Sequence, residues 1–442
     1  MEIKKRHMTS FQIIICGFAG VILTGAILLM LPLSSSSGLW TPFNEALFTS
    51  TSAVCVTGLV IQDTATYWSQ FGQMIILLLI QVGGLGVVTV AVAFSLLSGK
   101  KVSLMQRSTM QDAISAPKVG GIVRLTGFIL KTTFLMEFIG ACFMFPVFYK
   151  DFGIRGMWIA VFHSISAFCN AGFDLLGNAE SLYPSLTAYM SHPIINGTIM
   201  SLIVIGGIGF LTWEDIYDHQ WHFRRYRMQS KVILVTTVML ILFPALYFFV
   251  FEFQDFPLKE RLLSALFQSV TPRTAGFNTV DLTAMSGRAQ MLIIGLMIIG
   301  GSPGSTAGGM KTTTFAVLLA NARAIFCRKQ DAAFFGRRID CETVKNASTI
   351  LIMYLMLFMG AGFGISLIEN IPVDICLYET ASAIGTVGLT LGITPELGII
   401  SQMILIGLMF FGRVGGLTLI YAAVSDRPKQ AYKLPLEKIN VG

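Results

Sequence analysis

Charged side chains are scarce in this 442-residue chain: Asp, Glu, Lys and Arg make up only 12% of it, about half the ~25% of a soluble protein. Histidine is scarcer still. The five (His7, His163, His192, His219 and His222) fall in no HExxH or similar metal motif, and the seven cysteines form no CxxC pair. These shortages argue against a structural zinc site, a disulfide-stapled fold and an intramembrane enzyme, which would need paired carboxylates, a metal set or an activated nucleophile. No GxGxxG follows a strand, and Met310 between Gly309 and Lys311 breaks the one approximation to a GxxxxGK[ST] loop, so the chain holds no nucleotide or other cofactor of its own. No aromatic-interleaved basic groove accompanies the net charge of +7, which excludes nucleic acid as a partner.

What the chain has is apolar length. Runs of roughly 20 apolar residues, enough to cross a bilayer, occur at Phe11–Leu33, Gln73–Leu97, Leu125–Val147, Ile194–Trp213, Val232–Phe251, Met291–Leu319, Ala347–Ile368 and Ile399–Val424, eight spans in all. The first follows Lys4, Lys5 and Arg6 but is not followed by a convincing small-residue cleavage site, so it reads as a retained helix. Lys100, Lys101, Arg107 and Lys118 share one connection, Arg224, Arg225, Arg227 and Lys231 another, and Arg323, Arg328, Lys329, Arg337, Arg338 and Lys345 a third; Arg427, Lys429, Lys433 and Lys438 lie in the tail. Because Lys and Arg are retained on the cytoplasmic side, these connections and both termini are expected there, in a multi-pass plasma-membrane protein. The opposite connections 34–67 and 369–397 carry no Lys or Arg, and the middle two only a scattering.

Each of those outer connections contains the same short segment. FTSTSAVCVTGL ends at Gly58 and Leu59, FHSISAFCNAGF at Gly172 and Phe173, LFQSVTPRTAGF at Gly276 and Phe277, and YETASAIGTVGL at Gly388 and Leu389, without gaps. The glycines are 114, 104 and 112 residues apart, one unit of span, short segment and span. A second register follows in the next span: GGLGVVT from Gly83, GGIGFLT from Gly206, GGSPGST from Gly300 and GRVGGLT from Gly412. Close helix packing explains richness in glycine but not two shared orders in four copies. The chain therefore divides into repeats 1–98, 99–216, 217–325 and 326–426, with a cytoplasmic tail 427–442.

About a dozen residues cannot span a bilayer, so each short segment predicts a re-entrant pore helix, opened by Pro42, Pro257 and Pro372 in three of the repeats. Beyond it the chain continues as extended backbone at membrane depth, which is tolerated only when buried in protein or lining a water-filled path. The predicted fold is an all-α integral membrane protein in which four repeats of helix, pore helix and helix surround a pseudo-fourfold central ion pore. Four such strands aim carbonyl oxygens at the axis and replace the water shell of an alkali cation, with the negative helix ends behind them. A coupled secondary transporter with inverted repeats and a midplane site is disfavoured against a pore, because each repeat begins and ends on the same side, although ion coupling is compatible with a pore.

Thr386, Val387, Gly388 and Leu389 resemble the first part of the potassium-channel TVGYG filter. From Phe11 to Asp426 the chain resembles the Trk/Ktr/HKT superfamily of potassium transporters, most closely the Ktr membrane subunit, through its four filter segments and GGSPGSTAGGMKTTT in the third repeat. The resemblance implies a filter built from Val56, Thr57, Gly58, Asn170, Ala171, Gly172, Thr274, Ala275, Gly276, Thr386, Val387 and Gly388, with K+ on their backbone carbonyls. Glycine at all four positions goes with potassium selectivity in that superfamily, and serine at the first marks sodium-selective members. It also implies a homodimer with one pore per subunit and a cytosolic regulatory ring that carries the nucleotide. Sodium enters as either a coupled or an activating ion.

The third repeat departs from the others at Pro303, which replaces the glycine found as Gly86, Gly209 and Gly415. Proline among Gly300, Gly301, Ser302, Gly304, Ser305, Thr306, Ala307, Gly308 and Gly309 rules out a regular helix and predicts a mobile loop beneath the filter. Similar loops act as gates in the superfamily. Arg413, at the depth of Gly84, Gly207 and Gly301, is a costly intramembrane cation and is expected to hydrogen-bond this loop and hold it closed, or else simply to pack against carbonyls. Arg273, three residues before a filter glycine, is expected to pair with Asp174, Asp281 or Glu379. Asp174 and Asn278 either attract cations at the mouth or cap a turn. Glu137 and Lys131 are expected to pair or reach an interface rather than relay protons, His163 to pack in the second pore helix, and the Asn196-Gly197-Thr198 glycosylation match to be fortuitous.

Overall fold

The structure is a computed structural model that describes residues 9–98, 102–114, 120–179, 181–424 and the single residues 435, 437 and 439. Lys4, Lys5, Arg6, Lys100, Lys101, Lys118, Arg427, Lys429, Lys433 and Lys438 lie outside the described residues, as does nearly all of the tail.

Four long helices form the outer wall: Ser10–Met30, Ile122–Phe152, Met228–Tyr247 and Cys341–Glu369. Thr9 starts the first with a capping box to Gln12, and a π-turn over Phe248–Glu252 extends the third past Pro244. Inside them lie the short helices Phe43–Val54, Arg155–Phe168, Leu258–Val270 and Val373–Gly385, of 12, 14, 13 and 13 residues. At 1.5 Å per residue each is about 20 Å long, too short for a hydrocarbon core of about 30 Å. Pro42, Pro257 and Pro372 occupy the N-cap position of three of them, where an N–H has no helical partner to lose.

The remaining four spans are broken rather than continuous, at the expected loop in the third repeat and at or beside a glycine in the other three, where the apolar runs give no sign of it. Gln70–Leu85 and Val87–Leu97 meet at 95°, and Pro193–Gly207 and Phe210–His219 at 97°. Ile399–Val414 stops before Gly416–Val424 in the same register. Gly86, Gly209 and Gly415 stand at the three breaks with φ of 86°, 92° and 89°, a region that costs a side-chain-bearing residue heavily. In the third repeat the break widens to a loop between Gly287–Ile298 and Thr312–Phe326. Hydropathy registers the average over such a segment and is blind to one glycine that turns it.

The repeats also share packing that spacing alone did not reveal. Ser50, Ser164 and Thr380, each eight residues before its filter glycine, hydrogen-bond the outer-helix carbonyls of Ile22, Glu137 and Phe358 at 2.7, 2.5 and 3.3 Å. Gly25, Gly140 and Gly362 let the outer helix come that close, because a Cβ there would press on the same hydroxyls. The third repeat has Gln268 instead, buried with both amide atoms unpartnered. A two-stranded hairpin, Ala333–Phe334 with Arg337–Arg338, and the helix Leu104–Ile114 lie in the connections that precede Cys341–Glu369 and Ile122–Phe152.

Candidate functional site: a four-part filter and the loop beneath it

After each pore helix the backbone follows one pattern. Val56, Asn170, Thr274 and Thr386 have φ of 51°, 58°, 70° and 51°, and two residues later Gly58, Gly172, Gly276 and Gly388 have φ of 91°, 71°, 81° and 94°. The N–H groups between them turn back toward the pore helix. Thr57, Ala171 and Val387 donate to the carbonyls of Ser52, Ser166 and Ser382 at 2.8 Å, and Ala275 donates to Thr271 at 3.0 Å. Gly58 and Gly388 N–H donate to the Ser52 and Ser382 hydroxyls, each at 3.0 Å. With the donors used on the outside, the carbonyls are free to face the other way.

The four segments close into a ring in chain order. A Cβ on Gly58 would lie 2.5 Å from the Ala171 carbonyl oxygen, and one on Gly172 would lie 2.7 Å from that of Ala275. Gly276 meets the Val387 oxygen in the same way, and Gly388 the Thr57 oxygen, returning to the first repeat. Every clash would be with backbone, which cannot swing aside, so glycine is required by contact as well as by φ. Of the twelve residues named from the sequence, the four glycines and the preceding Thr57, Ala171, Ala275 and Val387 meet in this ring. The strained non-glycine positions at Val56, Asn170, Thr274 and Thr386 were not foreseen, and such conformations are held only where surroundings over-determine them.

Outside the ring lies a cavity of about 240 Å³ reached by Asp63, Asp174, Asn278 and Glu396. Asp174 accepts the Leu176 N–H at 3.1 Å, so it caps a turn while facing this vestibule, and burial pushes its carboxyl up to about 7. Asn278 likewise donates to the Val280 carbonyl at 3.2 Å. Asp281 is committed to Thr283, whose hydroxyl and N–H hold its carboxyl below the usual range. Arg273 pairs with none of the three carboxylates expected for it. It is buried, reaches the Thr237 hydroxyl at 3.5 Å and leaves its Nε without a partner, while Glu379 accepts instead from Thr390 and Thr394. Thr237 on the outer helix Met228–Tyr247, not an acid, is what the Arg273 guanidinium meets.

On the inner side the loop of residues 299–311 fills the space below the ring. Its strands meet at Ile299 and Met310, with Gly300 N–H to the Met310 carbonyl at 2.8 Å. Ser302 and Thr306 N–H donate to Gly207 and Gly206 at 3.0 and 3.3 Å, Gly309 donates to Gly412 at 3.1 Å, and the Gly304 carbonyl accepts from Phe210 at 2.8 Å. The Thr306 hydroxyl reaches the Phe168 carbonyl at 3.0 Å. Gly308 lies against the Thr386 side chain, whose hydroxyl is buried and unpartnered at the inner end of the filter. Arg413 donates to the Thr306 carbonyl of the loop and to the Gly83 and Gly84 carbonyls of the first repeat, the last at 3.1 Å. Lys311 turns to the Ala307 carbonyl at 2.9 Å. Below the loop lies a cavity of about 360 Å³, lined in part by Pro303, Ser305, Lys311 and Asp112.

The remaining polar candidates have structural partners. Glu137 accepts from Gln81 at 3.0 Å, and Lys131 is exposed. His163 is buried beside Phe148, Phe162 and Phe277 and bonds the Ile159 carbonyl at 2.8 Å. Asn196 donates to the carbonyls of Tyr189, Met190 and His192 at 2.8 to 3.1 Å, which leaves its amide buried and unsuited to carry a sugar.

This arrangement, four re-entrant helices each ending on a glycine of one carbonyl ring, defines a multi-pass membrane protein with a cation path. The family model described as "TrkH: Cation transport protein" matches residues 1–433, and the chain belongs to that family. It is 39% identical to the potassium/sodium uptake protein NtpJ of Enterococcus hirae, over 99% of this chain and 98% of that one. It is 36% identical to the Ktr system potassium uptake protein B of Bacillus subtilis, over 95% of this chain and 94% of the relative. The crystal structure of the potassium transporter TrkH from Vibrio parahaemolyticus shares the fold with a TM-score of 0.72 at 19% identity, over 95% of this chain and 86% of that one.

Proposed function

We propose that this chain is the potassium-translocating membrane subunit of a Trk/Ktr-type uptake system. The closed ring of Gly58, Gly172, Gly276 and Gly388, each against the carbonyl that precedes the next repeat's glycine, carries the reading. Units 1–98, 99–216, 217–325 and 326–426 each supply one quarter of it. A dehydrated K+ exchanges its water for these neutral oxygens, and the pore-helix ends add negative potential. The loop 300–309 is the gate, latched by Arg413. Both termini face the cytoplasm, and the positively charged inner connections support that orientation. A homodimer and a cytosolic nucleotide-binding ring complete the system, since this chain has no nucleotide fingerprint of its own. Sodium acts as coupled or activating ion, in keeping with the name of the Enterococcus relative.

The test is uptake of rubidium-86 and sodium-22 into liposomes holding the purified protein. Rubidium entry blocked by external potassium, with little sodium entering, is the expected result; in Gly58→Ser, whose side chain meets the Ala171 carbonyl, sodium entry rises relative to rubidium. Native protein that admits both ions equally, or a variant with unchanged selectivity, refutes the filter.

A further inference from the structure

The cytoplasmic face holds a cluster of cations and aromatic rings that the ion path does not use. The inner helix of the second repeat turns by 97° at Gly209, so Phe210–His219 leaves the direction of the span at its cytoplasmic end. It runs outward to Tyr217, 71% exposed yet packed on Phe128 of the outer wall at 5.6 Å between ring centres. Trp221, in the turn that follows, is 98% exposed. An indole left wholly uncovered seven residues before the helix Met228–Tyr247 suits the bilayer interface, where tryptophan is enriched.

That turn is fixed against the hairpin of the third cytoplasmic connection. The Phe223 and Phe335 rings meet edge to face at 6.2 Å, and Lys231 Nζ lies 5.9 and 5.8 Å from the two ring centres while donating to the Arg224 carbonyl at 2.7 Å. Two connections distant in sequence are thereby held as one surface. Arg224, Arg225 and Arg337 are exposed on it, and among the described residues none of the three has a carboxylate partner, whereas the nearby Arg227 is committed to Glu214 and Asp215. The positive-inside rule accounts for the sign of these charges but not for their gathering beside an uncovered indole.

We infer that this face binds the phosphate headgroups of anionic phospholipids in the cytoplasmic leaflet, with Arg224, Arg225 and Arg337 on the phosphate and Trp221 at the acyl boundary. Guanidinium groups pair with phosphate through two parallel N–H bonds, and each basic residue near an anionic surface adds to attraction that salt screens. The site depends on no ion flux, so its test is independent of the pore reading.

Full-length protein is titrated with phosphatidylglycerol and with phosphatidylcholine, and bound lipid is counted by native mass spectrometry. The triple variant Arg224→Gln, Arg225→Gln, Arg337→Gln is expected to hold phosphatidylglycerol about ten-fold more weakly with phosphatidylcholine unchanged, and the corresponding triple lysine variant to keep most of the preference. In vesicles of acyl-brominated lipid, Trp221→Phe is expected to remove a quenchable part of the emission. Equal phosphatidylglycerol binding by native and glutamine proteins, or equal loss of both lipids, overturns the inference. So does a glutamine variant that keeps its lipid but loses a soluble cytosolic partner, which would make this face a protein-docking surface.

Discussion

Replacing Arg413 by Met isolates the latch on the loop. The guanidinium makes three bonds, and only the one to the Thr306 carbonyl joins it to the loop; the other two, to Gly83 and Gly84, tie it to the first repeat. Displacing the loop breaks the Thr306 bond directly, and that bond sets the expected shift. The Gly83 carbonyl also keeps the Gly86 N–H at 3.1 Å, so the substitution does not orphan it. A hydrogen bond to a charged donor contributes about 1.5–3 kcal/mol, and at ~1.4 kcal/mol per decade its loss shifts the open-to-closed ratio by roughly 10- to 100-fold. Where the loop limits flux, rubidium-86 uptake into liposomes at matched protein density rises toward that range, and Arg413→Lys falls between because one ammonium cannot span both anchors. Unchanged or lower uptake by Arg413→Met that elutes as a single folded species would refute the latch.

Two further outcomes follow from the filter surroundings. Ser382→Ala removes the acceptor of the Gly388 N–H at 3.0 Å, leaves a buried donor unmet at a cost of about 1–3 kcal/mol, and is expected to lower the rubidium-to-sodium ratio in the liposome assay while Ser264→Ala, away from the ring, does not. Asp174, with its carboxyl raised by burial to about 7, is charged above that pH and neutral below it, so acidifying the external side from 8 to 6 is expected to reduce uptake at limiting cation, and Asp174→Asn to flatten that dependence at the low level.

The repeats and their glycines were legible because a pore of four similar quarters must carry the same backbone exception four times, and glycine marks it in the sequence. The alternating positive φ at Val56, Asn170, Thr274 and Thr386 left no such mark: valine, asparagine and threonine have no common preference for that region, and the surrounding hydrogen bonds impose it. The breaks at Gly86, Gly209 and Gly415, the first two bent, lie inside the aligned motif but leave no mark in the apolar runs, because hydropathy does not distinguish a glycine that packs from one that turns the chain. Arg273 shows the opposite limit. Opposite charges in one outer region suggested a pair, but each acid had nearer donors: Leu176 for Asp174, Thr283 for Asp281, and Thr390 and Thr394 for Glu379.

The placement of the loop, the proposed gate, in the third repeat has a covalent cause. Gly86, Gly209 and Gly415 compress the break between half-helices into one residue of positive φ. Proline is fixed near φ −65° and has no N–H, so Pro303 cannot make that turn, and the break spreads over the loop from Ile299 to Lys311. The polar groups released from helix must still be satisfied at membrane depth. They find Gly206 and Gly207 of the second repeat, Gly412 and Arg413 of the fourth, and the Phe168 carbonyl at the end of a pore helix. Bonds of this kind join separate elements and can be exchanged for water entering an open pore, whereas bonds within a helix cannot be given up without unwinding it. Each such exchange has a net cost of only about 1 kcal/mol, so in the proposed gating role the loop is held by a few kcal/mol, within reach of a regulator that binds two states with different affinity. A glycine at position 303 would lift the bar that proline sets against the turn made at Gly86, Gly209 and Gly415.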